Sequence, residues 1–402
     1  MFFLFPLDTA VTMTAGSTAN GSAAASCRAA AGYAQVIDLE TDDASAYSKR
    51  GLAYFLDGDY DQAAAECSRA ISLDPDDVSA YRVRGLAYFY KGEDEQAAAD
   101  FSQAIADYDR AVADFSQAIS LDPDDAPTYY DRGLVYFYKG EYDQAAAGFS
   151  QAIADYDRAI TDFSRAVSLD PDDASAYYSR GLAYSRTGDH GRAAADFSQV
   201  IRLDPDDAFT YYNRGLAYSR TGDYDRAIAD FSQAISLNPG YLGYYTNRGA
   251  AYAANGDYDQ AIADFSRAIE LDPHYASSYY SRGGAYAANG DYNRAIADFS
   301  QAIGFNPDYA GYYTGRGAAY AANGGYDQAI ADYTQVISLA PDNASAYFSR
   351  GQVYAEKGDY DRAIADYEAA LWIDPDHADA RDNLEYARSR LGIIELFENF
   401  SF

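Results

Sequence analysis

Residues 174–207 read ASAYYSRGLAYSRTGDHGRAAADFSQVIRLDPDD, and the same order (Tyr-x-x-Arg-Gly-x-x-Tyr, a Gly, an Ala-rich stretch, then Pro) recurs nine times. The units begin at Ala44, Val78, Ala126, Ala174, Ala208, Leu242, Ala276, Ala310 and Ala344, 34 residues apart except for two steps of 48. So short a unit cannot bury an apolar face alone, so the period predicts stacked copies sharing one core. Within the quoted unit Tyr177, Gly181 and Tyr184 fall on one helical face, and Ala193, Phe197 and Val200 on another. Gly188 stops the first helix, Asp189 caps the second, and Pro205 keeps the second from running on. Asp257 with Gln260 reads as a capping box. Each unit is therefore expected to be an antiparallel helix pair, and the chain all-α.

With aromatic, Gly, Tyr, Ala, Phe or Tyr, Ala and Pro at these offsets over residues 44–377, the chain resembles the tetratricopeptide repeat family. The resemblance implies a right-handed α-solenoid, no catalytic role, and a concave groove lined by first helices that holds a peptide or protein segment. Departures are local: Cys67 stands where Phe or Tyr is usual, and Val200 and Val336 replace Ala. The family's clamp for a C-terminal carboxylate is not matched, since its positions hold Leu52, Leu86 and Tyr130.

One departure is systematic. The residue before the first-helix glycine is Arg in every unit, from Arg50 to Arg350. Sixteen residues on, where an antiparallel hairpin should bring its partner, stands an acid in all units but one: Glu66, Asp100, Asp196, Asp230, Asp264, Asp298, Asp332 and Asp366, with Gly148 the exception. A ladder of intra-repeat ion pairs is expected, each worth little if exposed; an arginine ladder that reads a ligand is the alternative.

The formal net charge of −32 makes a nucleic-acid backbone a poor partner. No nucleophile–base set, phosphate loop or metal-ligand spacing occurs, so neither enzyme activity nor a cofactor is expected. His190, His274 and His377 fall at helix junctions far apart, and the Asp-Pro-Asp-Asp turns lack the Gly and distal Glu of a calcium loop. Cys27 and Cys67 read as two buried thiols rather than a disulfide.

Two units carry 14 extra residues, Ala106–Ile119 and Ala154–Val167, each restating the second-helix sequence before it. As two heptads they keep the apolar stripe aligned. With no Gly or Pro at the join, continuous second helices over 94–120 and 142–168 are predicted, leaving a shelf on the stack.

In the groove that the family resemblance implies, the residues that differ between repeats mark where a ligand would sit. Repeats one to three offer Phe55-Leu56, Phe89-Tyr90 and Phe137-Tyr138; the next two offer Ser185-Arg186 and Ser219-Arg220; then Ala253-Ala254 and its successors follow. A second row adds Arg82, Tyr130, Tyr178, Tyr212 and Tyr280. The groove is expected to be aromatic and mildly basic in its N-terminal half, inside an acidic shell. Any of these rings has the alternative of packing against the neighbouring repeat.

Residues 1–26 read as a flexible segment, weak as an export signal because no Lys or Arg precedes Met1–Leu7 and Pro6 cuts it short. A cytoplasmic protein is expected, with no transmembrane segment. Residues 27–43 align with a half repeat, an N-terminal cap. Residues 378–391 form a capping helix with a polar outer face. The apolar stretch 393–402 either continues that cap or mediates self-association, which would make the chain a self-assembling solenoid.

Overall fold

The computed structural model describes residues 43–97, 101–146 and 149–399. The expected flexible segment, nearly all of the half repeat, Cys27, Asp100 and Gly148 lie outside these residues. The chain divides into two compact units, Met1–Pro205 and Asp206–Phe402. In the first, α1 (Ala44–Asp57) pairs with α2 (Tyr60–Leu73), α3 (Val78–Ala97) with α4 (Phe101–Leu121), α5 (Ala126–Ala146) with α6 (Phe149–Leu169), and α7 (Ala174–Thr187) with α8 (His190–Leu203). In the second, α9 (Ala208–Arg220) pairs with α10 (Tyr224–Leu237), α11 (Leu242–Ala254) with α12 (Tyr258–Leu271), and α13 (Ala276–Ala288) with α14 (Tyr292–Phe305). Then α15 (Ala310–Ala322) pairs with α16 (Tyr326–Leu339), α17 (Ala344–Glu356) with α18 (Tyr360–Ile373), and α19 (Ala378–Asn399) closes the unit. Each unit is a stack of such pairs, the arrangement of an α-solenoid. The last helix runs through Gly392 to Asn399, so most of the apolar stretch continues the capping helix.

The repeated motif is explained by three contacts. The first-helix glycine has no Cβ because the second-helix ring lies there: a Cβ on Gly181 would be 2.8 Å from Phe197 Cε1, and one on Gly215 2.7 Å from Phe231 Cε1. The arginine before it donates from Nε and Nη2 to a buried second-helix carboxylate, as Arg180 does to Asp196 and Arg248 to Asp264, at 2.7–2.8 Å. Three residues earlier, the tyrosine carries that guanidinium over its ring, 5.5 Å away for Arg180 on Tyr177. The pairs are buried rather than exposed, with Asp264 only 6% accessible. They also join neighbouring repeats, because Nη1 donates to the hydroxyl of the preceding one: Arg132 to Ser116, Arg248 to Ser232 and Arg316 to Ser300, at 2.9–3.0 Å. Cys67 takes the ring's place in the first repeat, buried and free, and burial pushes its thiol up to about 12.

Ordinary hairpins turn as the sequence predicts. Gly188 adopts φ 87°, and Asp189 N–H closes on the Tyr184 carbonyl at 2.9 Å, a Schellman pattern. Asp189 then caps the next helix by accepting from Arg192 N at 3.1 Å. Asp257 makes no side-chain capping bond, so the acceptor half of the expected capping box is missing there; nothing around it explains the difference.

The two long repeats correct the sequence reading. No single helix covers 94–120 or 142–168: α3 ends at Ala97 and α4 begins at Phe101, while α5 ends at Ala146 and α6 begins at Phe149. Relative to an ordinary repeat both helices of the pair lengthen, by about seven residues, two turns or 10 Å each. In an antiparallel hairpin a seven-residue shift of the turn displaces the facing residue by fourteen. Arg84 accordingly meets Asp114 rather than Asp100, and Arg132 meets Asp162 rather than position 148, at 2.7–2.8 Å. The ladder has no missing rung among the nine arginines. The 14 extra residues give the chain room for a later turn, and Gly-Glu at residues 92–93 and 140–141, where ordinary turns have Gly-Asp or, at 324–325, Gly-Gly, weakens the earlier one. Glu is a poor N-cap beside Asp, so the turn loses its stop signal. Gly140 instead stays helical and receives a ring, Tyr156 Cε1 lying 2.8 Å from the position of a Cβ.

Deleting residues 106–119 removes Asp114 but leaves Asp100 sixteen residues after Arg84. The expected product is folded, with an ordinary turn restored at Gly92. Circular dichroism should lose helical signal only in proportion to the residues removed; wholesale loss of helicity would refute the register argument.

Candidate functional site

The distinctive first-helix residues of the first unit belong to one run of rings. Tyr60 and Phe55 are 5.9 Å apart, Phe55 and Tyr90 5.6 Å, Tyr90 and Phe89 5.2 Å, and Phe89 and Tyr138 5.3 Å. Tyr138 continues to Phe137 at 6.0 Å, and Phe137 to Tyr156 at 5.6 Å. The run crosses three repeats because adjacent first helices present equivalent positions side by side. Part of it is interior: Tyr156 is buried, and Phe89 is 3% exposed, in a cluster with Tyr108, Phe115 and Val135. Phe55, Phe137 and Tyr138 are half-buried. Leu56 at 47% and Tyr90 at 37% face solvent.

Two of the three arginines of the expected groove, Arg82 and Arg186, are already engaged. Arg82 donates to Asp131 of the next repeat at 2.8 Å. Burial raises the Asp131 carboxyl above its ordinary range, and Arg82 works against that shift. Arg186 donates to Glu141 of the preceding repeat at 2.5 Å, and the Tyr156 hydroxyl donates to the same oxygen at 2.9 Å. These two arginines fasten repeat to repeat. Asp131 and Glu141 carried no sequence signal of this role, apart from Glu141 standing where Asp is usual.

The second-row tyrosines pack on the second-helix ring of their own repeat, and Tyr130 also reaches the next one. Tyr130 lies 5.8 Å from Phe163 with its hydroxyl 3.4 Å from Ser179 Oγ, and Tyr178 lies 5.7 Å from Phe197. Tyr212 lies in the second unit, 5.8 Å from Phe231, and the exposed Arg220 ends α9 in that same unit. Of the predicted set, Leu56, Tyr90 and Arg220 are the members with the most accessible side chains.

Among the described residues no group of three or more metal-ligating side chains converges. His274 packs on Phe305 at 5.6 Å, and His377 accepts from Ala380 N at 3.3 Å. No helix among them is long and apolar enough to cross a membrane.

Comparison with known proteins gives a consistent picture. Tetratricopeptide repeat models match residues 44–77, 174–207, 208–241, 244–275, 265–297 and 314–388. A TPR repeat model matches 107–140, 155–188 and 283–324. No curated protein gives a match. Similar solved structures include MamA, at 30% identity over 41% of this chain and 96% of that one, TM-score 0.39. YrrB, described as a TPR protein with an unusual peptide-binding site, is 24% identical over 47% of this chain and 97% of that one, TM-score 0.41. A tetratricopeptide repeat protein from Parabacteroides merdae is 18% identical over 64% of this chain and 98% of that one, TM-score 0.48.

Proposed function

We propose, from the premise that this chain belongs to the tetratricopeptide repeat family, that it is a protein-interaction scaffold whose first unit holds an apolar peptide segment against Leu56 and Tyr90. The observation that carries the reading is the exposure of these two large side chains along a run of rings that are otherwise buried or half-buried. Stability does not require them, because the corresponding positions of the second unit are Ala254, Ala288 and Ala322 in equally regular helix pairs. Phe55 and Tyr60 back the Tyr90 ring and hold it in one orientation, which lowers the entropy lost when a ligand docks. A rigid aromatic surface beside an aliphatic side chain is the residue chemistry that anchors interfaces.

Selection of a displayed peptide library on the full chain tests this. Enriched peptides should carry aromatic or aliphatic anchors. They should bind a Leu56→Ser/Tyr90→Ser variant at least about tenfold more weakly, the loss typical of removing an anchor, while its helical signal stays unchanged. Enriched peptides that bind the variant as well as the parent would refute the assignment.

A further inference from the structure

Tyr212, Tyr241 and Tyr244 form a triad of rings, and two repeats further on Tyr280, Tyr309 and Tyr312 form it again. Tyr212 and Tyr244 are 5.2 Å apart, Tyr280 and Tyr312 5.3 Å; Tyr241 and Tyr244 are 4.7 Å apart, Tyr309 and Tyr312 4.6 Å. The third sides are near-perpendicular, 81° between Tyr212 and Tyr241 and 86° between Tyr280 and Tyr309. The local sequence explains the copy. Tyr241-Leu-Gly-Tyr244 and Tyr309-Ala-Gly-Tyr312 place a glycine two residues after the first tyrosine, whose ring folds back over it. A Cβ on Gly311 would lie 2.5 Å from Tyr309 Cε1. The repeat between them reads Tyr275-Ala-Ser-Ser278 and has neither the glycine nor the second tyrosine.

Tyr241 and Tyr309 occupy the N-cap positions of α11 and α15, as Tyr275 does for α13, and none of these helices has a side-chain capping bond. At the same position Asp173, Asp207 and Asn343 cap their helices. The substitution therefore gives up a stabilising cap and leaves the Tyr241 and Tyr309 rings 40% and 48% exposed in water. At two of these three tyrosine caps the exposed ring joins a triad of the same geometry, and that repetition points to a role outside folding.

The charge around the triads indicates the ligand. Among the described residues 206–343, every arginine apart from Arg220 holds a carboxylate. Asp272, Asp308 and Asp342 stay exposed in the loops that lead into first helices, Asp308 next to Tyr309 in the chain. Exposed aromatic faces in an acidic field attract guanidinium and ammonium groups.

We propose that the two triads are twin docking sites for a peptide carrying two arginine or lysine side chains, one cation stacked on Tyr241 and the other on Tyr309. The site is independent of the apolar surface in the first unit.

Titrating the full chain at low ionic strength with labelled Gly-Ser peptides that carry one arginine, or two at varied spacing, tests the proposal. At the matching spacing the two-arginine peptide should bind about tenfold or more tighter than the one-arginine peptide. Tyr241→Leu and Tyr309→Leu should each weaken it about fivefold and together abolish the gain, whereas Tyr→Phe at both sites should retain it. These variants keep the net charge, so binding driven by bulk acidity would survive the double leucine change and overturn the proposal. Equal binding of the one- and two-arginine peptides, or preferred binding of an uncharged proline-rich peptide, would also overturn it. If a leucine variant loses its helical signal, the phenylalanine pair decides: binding lost there would sink stacking on a ring face.

Discussion

Gly215→Ala is expected to destabilise the chain by about 2 kcal/mol, although alanine is the better helix former. Propensity alone would stabilise by about 1 kcal/mol. Against it, the new methyl would lie 2.7 Å from Phe231 Cε1 and 2.9 Å from its Cδ1. That ring is fully buried between Ala227 and Ala251, so it has nowhere to retreat. Overpacking a closed core typically costs about 1–3 kcal/mol, and here it comes on top of any cost of displacing Arg214 from Asp230, which Arg214 holds at 2.7 Å from the residue before the glycine. Gly284→Ala supplies the control. It is helical and exposed, with no atom within 4 Å of its Cβ position, so it should stabilise by about 0.5–1 kcal/mol. Opposite signs in denaturant melts of the two variants are the expected result. Phe231→Leu should recover part of the loss in the Gly215→Ala background. If Gly215→Ala proves neutral, the glycine is not held by the ring.

This close approach was legible in the sequence only as a period. Helix pairs, Gly-Asp turns and the arginine–acid spacing all follow from local rules that depend on a few residues, and they recur with the repeat. What was not legible depends on competition between alternatives of similar energy. The turn of the long repeats depends on the 14 extra residues together with Glu141 in place of Asp, and Gly140, instead of ending a helix, receives Tyr156. Phe89 and Tyr90 are adjacent and similar in kind, yet one is interior and the other faces water. Arg186 looked available because its partner, Glu141, lies 45 residues away on another repeat. The tyrosine triads were divided between two repeats in the same way: Tyr212 and Tyr280 were visible as members of a row, but nothing in the sequence singled out Tyr241 or Tyr309. Sequence thus identifies which positions vary between repeats, while contact with the neighbouring repeat decides which of those remain available to a partner.

The arginine ladder gives the second large effect. Asp264→Asn should cost about 3 kcal/mol, because the Arg248 guanidinium would stay mostly enclosed, at 19% side-chain exposure, without its counter-charge. In the intact protein two parallel bonds at 2.7 and 2.8 Å hold it, and the Asp264 hydrogen bond raises Arg248 above its ordinary pKa. Ser232, at 2.9 Å, and the faces of Tyr245 and Tyr252 remain as neighbours, but none carries negative charge. Arg248→Met should be similarly costly, since it leaves the Asp264 carboxylate enclosed. Changing both, Arg248→Met with Asp264→Leu, should cost well under the sum, because neither charge is then stranded. The double-mutant cycle is expected to return a coupling of about 2 kcal/mol, within the range for contacting residues. High salt should reduce it only slightly, since an enclosed pair is poorly screened. A coupling near zero would mean that the ladder does not hold the hairpin. Unchanged stability with lost peptide binding in Asp264→Asn would assign the arginines to ligand recognition instead. Because Arg248 also bonds the preceding repeat, its loss should loosen the α10–α11 contact. Hydrogen exchange ought then to quicken in α10 as well as in α11 and α12, whereas a purely intra-repeat pair would leave α10 unchanged.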